Sequence, residues 1–306
     1  MADGNKVLLE RYEEVAKVTK PENPEGLILH YRGYQYPSKL CSTDTFQALE
    51  KLEARKEDVL LLAYPKCGYN WVKQLLHEIV AYVNPKTKED EDYVIVPMLE
   101  FERPERLQKA KKSPSPRVFG AHLCYDEIPV SFFEKKTKML VVFRNPKDTA
   151  VSYFHFCNGL PVLPSSTWDE FFNKFMAGDV CWGSYFNYAL TWNKHIDDEN
   201  VLIITYEDLK MNLGEQLKQI TEFYGFTLSE EQLQVIVNGG TFTSMKESSK
   251  EVMGPFCDVV FRKGEIGDWK NYFTEAQSKE MDAKFEECLA GTKLGKKLNY
   301  DLYCKA

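Results

Sequence analysis

Three short apolar runs constrain this chain more than anything else in it: "DVLLLAY" (58–64), "KMLVVF" (138–143) and "NVLIIT" (200–205). Each is continuous rather than alternating, the pattern of a strand covered on both faces, and such strands belong to parallel sheets. Each leads into polar residues and then a helical pattern. After the first, Trp71, Val72, Leu75, Leu76, Ile79, Val80 and Val83 fall at helical spacing. After the second, Asp148 is placed to N-cap a helix through "TAVSYFHF", and after the third "EDLKMNLGEQLKQITEFYGF" reads as one amphipathic helix. Strand, loop and helix three times over predict an α/β fold with a central parallel sheet flanked by helices. No repeat or low-complexity linker divides the 306 residues, so a single domain over 1–306 is expected. Ligands of such sheets sit beyond the carboxyl ends of the strands, which aligns Lys66, Arg144 and Tyr206 along one edge.

The joint after the first run is "YPKCGYNW" (64–71). A helix start offers unpaired amides and a partial positive charge, Gly68 permits close backbone approach, and Lys66 adds a full charge. This is phosphate-loop logic, but the lysine precedes the glycine, whereas in the Walker pattern it follows. A Cys-x5-Arg phosphatase reading of Cys67 fails because the sixth residue on is Lys73, expected on the polar face of the helix away from the loop. Two further basic points stand apart in sequence. Arg144 ends the second strand, suited to a planar grip on phosphate, with Ser152 in the helix that follows. "FRKGEIGDWK" (261–270) adds Arg262, Lys263 and Gly264.

These cations must act locally, because the formal net charge is −7 and the sequence pI about 5.5, which argues against a nucleic-acid-coating protein. The eight cysteines are scattered singly without a Cys-x-x-Cys, so neither a metal site nor a disulfide framework is expected. No apolar run reaches the ~18 residues of a membrane span and "MADGNKVLLERYEEVAKVTK" has no leader pattern. A cytoplasmic protein with free thiols is the expectation, with no membrane or nucleic-acid partner.

Taken together the segments resemble the cytosolic sulfotransferases. The family pattern Tyr-Pro-Lys-Ser-Gly-Thr-Thr-Trp stands as "YPKCGYNW"; Arg-Asn-x-x-Asp-x-x-x-Ser-x-x-x-Phe stands as "RNPKDTAVSYFHF"; Arg-Lys-Gly-x-x-Gly-Asp-Trp-Lys stands intact as "RKGEIGDWK". "YEDLK" (206–210) and "TSMKE" (243–247) fall between them in the expected order, and the resemblance runs from about residue 25 to 295. It implies a phosphate-binding strand–loop–helix. It also implies transfer of a sulfuryl group from 3′-phosphoadenosine 5′-phosphosulfate (PAPS), leaving 3′-phosphoadenosine 5′-phosphate (PAP). The acceptor would be a hydroxyl or amine of a small hydrophobic molecule of the phenol, alcohol, steroid or iodothyronine class. By this resemblance Lys66 supports the leaving phosphate. Cys67, Gly68, Tyr69, Asn70 and Trp71 surround the 5′-phosphate and adenine. Arg144 and Ser152 hold the 3′-phosphate with Arg262, Lys263 and Gly264, and Phe261, the aromatic before that motif, also belongs to the cofactor site. Tyr206, Thr243, Ser244 and Met245 form the adenine end. His122, in "FGAHLCYDEIP", stands where the family has its general base, an assignment that suits a side chain with a pKa near 6.5. Met98, Phe101 and Phe156 are the expected acceptor-pocket residues.

The chain departs from the pattern at Cys67, Tyr69 and Asn70, where Ser, Thr and Thr are usual, and at Gly120-Ala121, where many members have Lys-Thr. Cys67, beside a lysine at a helix start, is expected to have a lowered pKa and to sensitise the protein to oxidation. The family's short dimer motif does not appear in "KESSKEVMGPFCDVVF", which leaves a homodimer without its usual sequence support. The competing reading is a non-enzymatic binder of nucleotide or hydrophobic ligand on the same fold. A nucleotide kinase or ATPase is more remote, for want of the Walker lysine and an evident Mg²⁺-binding hydroxyl.

Overall fold

The structure, a computed structural model, describes residues 14–15, 17–18, 24–85 and 98–305. The N-terminal stretch quoted above lies almost wholly outside the described residues. An antiparallel hairpin of β1 (Ile28–Tyr31) and β2 (Tyr34–Pro37) precedes the main sheet. That sheet comprises β3 (Val59–Ala63), β4 (Val118–Ala121), β5 (Lys138–Phe143) and β6 (Val201–Thr205) in the order β4-β3-β5-β6, every pairing parallel. All five residues of β3 are buried, as are five of the six in β5. Helices therefore cover both faces, and each fully buried Val or Leu contributes roughly 1.5–3 kcal/mol relative to exposure.

The three expected strands are present, and β4 is an edge strand that the apolar-run reading missed. It is four residues long, contains Gly120 and follows the Ser/Pro-rich "SPSP". A buried ion pair pins its start: the Arg117 guanidinium donates to both carboxylate oxygens of Asp58, at 2.8 and 2.5 Å, which locks the entry to β4 beside the entry to β3.

Local details correct the sequence reading at two helices. The helix after β5 spans Pro146–Gly159 and is capped by Asn145, whose side chain accepts from the Asp148 amide, with Pro146 as first helical residue. Asp148 instead accepts from the backbone amides of Gly267 and Trp269, at 2.8 and 3.0 Å, and ties the "RKGEIGDWK" loop to this helix. The helical stretch after β6 is two helices, Tyr206–Met211 and Leu213–Tyr224, broken at Asn212, which leaves helical geometry to cap the second.

Candidate active site

Each strand of the main sheet hands its next residues to one rim. β4 ends at Ala121 and delivers His122; β3 ends at Ala63 and delivers the loop carrying Lys66; β5 ends at Phe143 and delivers Arg144; β6 ends at Thr205 and delivers Tyr206. Sheet order therefore fixes the order of side chains across the rim as His122, Lys66, Arg144, Tyr206, on strands about 4.8 Å apart. All four line one cavity. Among the described residues no group of three or more His, Cys, Asp or Glu is arranged to hold a metal.

The loop after β3 builds an anion seat. Gly68 caps the helix Tyr69–Val83 in the left-handed region (φ 102°), without a side-chain cap, and the first turn has no acidic residue to offset its dipole. A Cβ on Gly68 would also stand 3.0 Å from the Tyr206 ring, so glycine is required twice over. Lys66 itself has φ +70°, an uncommon conformation for a non-glycine residue and one concentrated at functional sites. Its Nζ lies 4.4 Å from the centre of the Phe156 ring. Burial, then repulsion from Arg144 and Arg262, lowers its pKa to about 7.

The second cation is more deeply set. Arg144 is buried, its guanidinium 4.4 Å over the Tyr206 ring, and it donates to the Glu265 carbonyl at 2.7 Å. Its Nε is buried with no partner among the described residues, a donor that an incoming anion would satisfy. Arg262 and Lys263 are both held by Asp268, the lysine at 2.5 Å. Gly264 (φ +68°) fits because a Cβ there would meet the Phe242 ring at 2.2 Å. Ser152 and Phe156, one turn apart on the helix Pro146–Gly159, face the same cavity.

The aromatic end gathers Trp71, Tyr206, Met245 and Phe261. Trp71 stands edge-on to Tyr206 with centroids 5.4 Å apart, and its Nε1 donates to the Gly240 carbonyl at 2.8 Å. Thr243 and Ser244 do not reach the cavity lining. Phe242, which sequence reading passed over, takes that place.

At the opposite end the His122 Nδ1 lies 2.7 Å from the carbonyl oxygen of Ala63. A carbonyl only accepts, so Nδ1 carries the proton and Nε2 the lone pair. The ring is wedged between two edge-on aromatics, Tyr69 at 5.0 Å and Trp182 at 5.3 Å. Burial is the main reason its pKa falls to about 4; the Ala63 contact opposes the shift and Lys66 adds to it. Glu100 accepts from the His122 amide at 2.8 Å and from the Trp182 indole at 3.2 Å, fixing both. Met98, Phe101, Leu160, Val162 and Leu163 complete apolar walls there. Trp182 has no local sequence signal: it arrives at φ +63° on a loop far from the other motifs.

Three expectations are corrected. Cys67 points away from the cavity into the core, fully buried, its sulfur 3.6 Å from the Thr149 hydroxyl, and burial pushes its pKa up to about 12. It is an inert thiol rather than an activated one. A native thiol titration is expected to leave Cys67 unmodified, and peroxide to inactivate wild type and Cys67→Ser at the same rate; a protected Cys67→Ser variant would reverse the assignment. Tyr69, expected around the 5′-phosphate and adenine, lines the cavity but turns its buried ring onto His122. Lys73, placed on an outward polar face by its spacing, is half-buried and lines the cavity.

Comparison with known proteins gives a consistent picture. Residues 56–293 match the sulfotransferase-domain family model. The chain is 49% identical to mouse sulfotransferase 6B1 over 307 residues, and to the human protein of that name over 306, with both chains covered in full. Among solved structures, mouse sulfotransferase SULT7A1 complexed with PAP superposes with a TM-score of 0.80 at 32% identity, covering 90% of this chain and 99% of that one.

Proposed function

Because this chain belongs to the sulfotransferase family, we propose that it moves a sulfuryl group from PAPS to a hydroxyl or amine of a small hydrophobic acceptor, with His122 as general base. The observation that carries this reading is the order across the rim. A neutral base, a lysine, an arginine and an aromatic slot stand side by side on adjacent parallel strands. The donor fits the residues present: the uncapped, acid-free helix start and the buried Arg144 Nε, without a partner among the described residues, call for anions, and Arg262 and Lys263 share the one carboxylate of Asp268, which leaves net positive charge there. PAPS supplies an activated sulfuryl group whose leaving group is a phosphate.

Each residue then has a task. His122 Nε2 takes the acceptor's proton as the nucleophile forms its bond to sulfur. Lys66, between base and arginine in sheet order, stabilises negative charge as it grows on the leaving phosphate oxygen. Arg144, Ser152, Arg262 and Lys263 hold the 3′-phosphate, with Gly264 letting the loop approach. Tyr206, Trp71, Phe242 and Met245 clamp the adenine, and Met98, Phe101 and Phe156 border the acceptor. Catalysis is positioning and electrostatics, as in phosphoryl transfer. The whole chain acts as one catalytic domain. A cytoplasmic location suits eight cysteines with no disulfide among the described residues, where no helix is long and apolar enough to cross a membrane.

The test is a calorimetric comparison of PAP with 5′-AMP, which lacks only the 3′-phosphate. Charge-assisted contacts from Arg144 and the Arg262–Lys263 pair predict PAP tighter by about 100-fold or more. Equal affinities would remove the 3′-phosphate site and this reading with it.

A further inference from the structure

Lys73 has no task in the reaction just described, yet it lines the same cavity. Among the described residues it forms no ion pair; its one polar contact is a long hydrogen bond, 3.4 Å, to the Asn70 side chain. Burial alone lowers its pKa, to about 8, whereas Lys66 is also pushed down by Arg144 and Arg262. Lys73 therefore stands apart from the cations assigned to the nucleotide.

Its position along the helix says which end of the cavity it serves. Tyr69, Lys73 and His77 follow at intervals of four on one face of the helix Tyr69–Val83. Tyr69 packs edge-on against His122, and Lys73 follows four residues, about 6 Å along the axis, further down that face of the helix. His77 provides no counter-charge: burial and Lys73 hold its pKa at about 3, and its Nε2 is buried without a partner among the described residues. A half-buried cavity ammonium with no acid partner among the described residues is one that an anionic ligand would stabilise.

We propose that Lys73 is the anchor for a carboxylate on the acceptor, so that the enzyme prefers aromatic alcohols carrying a carboxylate remote from the hydroxyl that His122 deprotonates. One ammonium balances one negative charge; a dianionic phosphate would leave a charge uncompensated among apolar side chains. The proposal rests on the reading of His122 as the acceptor end of the cavity.

The experiment compares two phenols of similar size, 3-(4-hydroxyphenyl)propanoate and neutral 4-propylphenol, on wild type, Lys73→Met and Lys73→Arg at pH 7. The readout is the ratio of their KM values within each protein, which cancels any general effect of a substitution. A hydrogen bond to a charged group predicts about 10- to 100-fold in favour of the carboxylate for wild type, lost in Lys73→Met and largely restored in Lys73→Arg. The same ratio in wild type and Lys73→Met would overturn the proposal. If no protein turns over either phenol, the acceptor reading of His122 has failed. Carboxylate binding to the PAP-loaded protein, followed by fluorescence of Trp71 and Trp182 in the cavity, then decides separately. Weaker binding in Lys73→Met supports the anchor, and unchanged binding refutes it.

Discussion

His122→Ala is expected to lower kcat by about 10²- to 10⁴-fold, the range of general acid–base contributions, while PAP still binds. The ring reaches its place by backbone geometry: β4 runs parallel to β3 with Leu62 opposite Ala121, so the next residue along β4 meets the end of β3. There the Ala63 carbonyl accepts a hydrogen bond from Nδ1–H at 2.7 Å and leaves the Nε2 lone pair for the acceptor. A tautomer set by a backbone carbonyl does not depend on any mobile side chain. The lowered pKa, about 4, keeps the ring neutral at pH 7, which a base requires, so on the acid side activity is lost as pH falls through the His122 pKa. An anionic nucleotide beside Lys66 offsets that lysine's repulsion and moves the base toward working pH. Added imidazole is expected to restore part of the activity of the alanine variant, because the space left between Tyr69 and Trp182 has the shape of the ring. Near-normal turnover in His122→Ala, or equal loss of PAP affinity, would end the assignment.

How far the sequence leads depends on how each residue is held. The three central strands are legible because burial on both faces leaves unbroken apolar runs, and Lys66, Arg144 and Tyr206 follow directly from where those runs stop. β4 leaves no such run, since four residues with a glycine carry little periodicity, so His122 could be placed only through its motif context. Lys73 was misplaced because a helical wheel sorts residues into core and solvent, whereas a helix that borders a cavity has a third surroundings, half-buried and polar-tolerant. Cys67 was misread for a related reason: adjacency in sequence put its thiol beside a lysine, but successive side chains in this turn diverge, Lys66 to the cavity and Cys67 to Thr149. Phe242 and Trp182 were missed because only long-range contacts bring them in, Phe242 against Gly264 and Trp182 against His122.

Lys66→Met is expected to cost about 10²- to 10³-fold in kcat, the scale seen when one preorganised donor to a developing negative charge is removed. Its signature is in the pH dependence, which separates the charge from mere packing. In the free enzyme Lys66 has a pKa lowered to about 7, chiefly by burial and then by Arg144 and Arg262. The useful form is the cation, so kcat/KM for PAPS, which reports the free enzyme, falls as pH rises through about 7. Bound phosphate places negative charge among the three cations and raises the lysine's pKa, so kcat at saturation stays level to higher pH. The same shift requires proton uptake when PAP binds at pH 8, seen as a dependence of binding enthalpy on the buffer's ionisation enthalpy. Lys66→Met should lose both the alkaline limb and the proton uptake. Lys66→Arg, permanently charged, should lose them while keeping more of the rate. If Lys66→Met retains the alkaline limb, another group titrates there. If it also retains turnover, the cation at the end of β3 serves binding alone, and the leaving phosphate is stabilised by the helix start in its place.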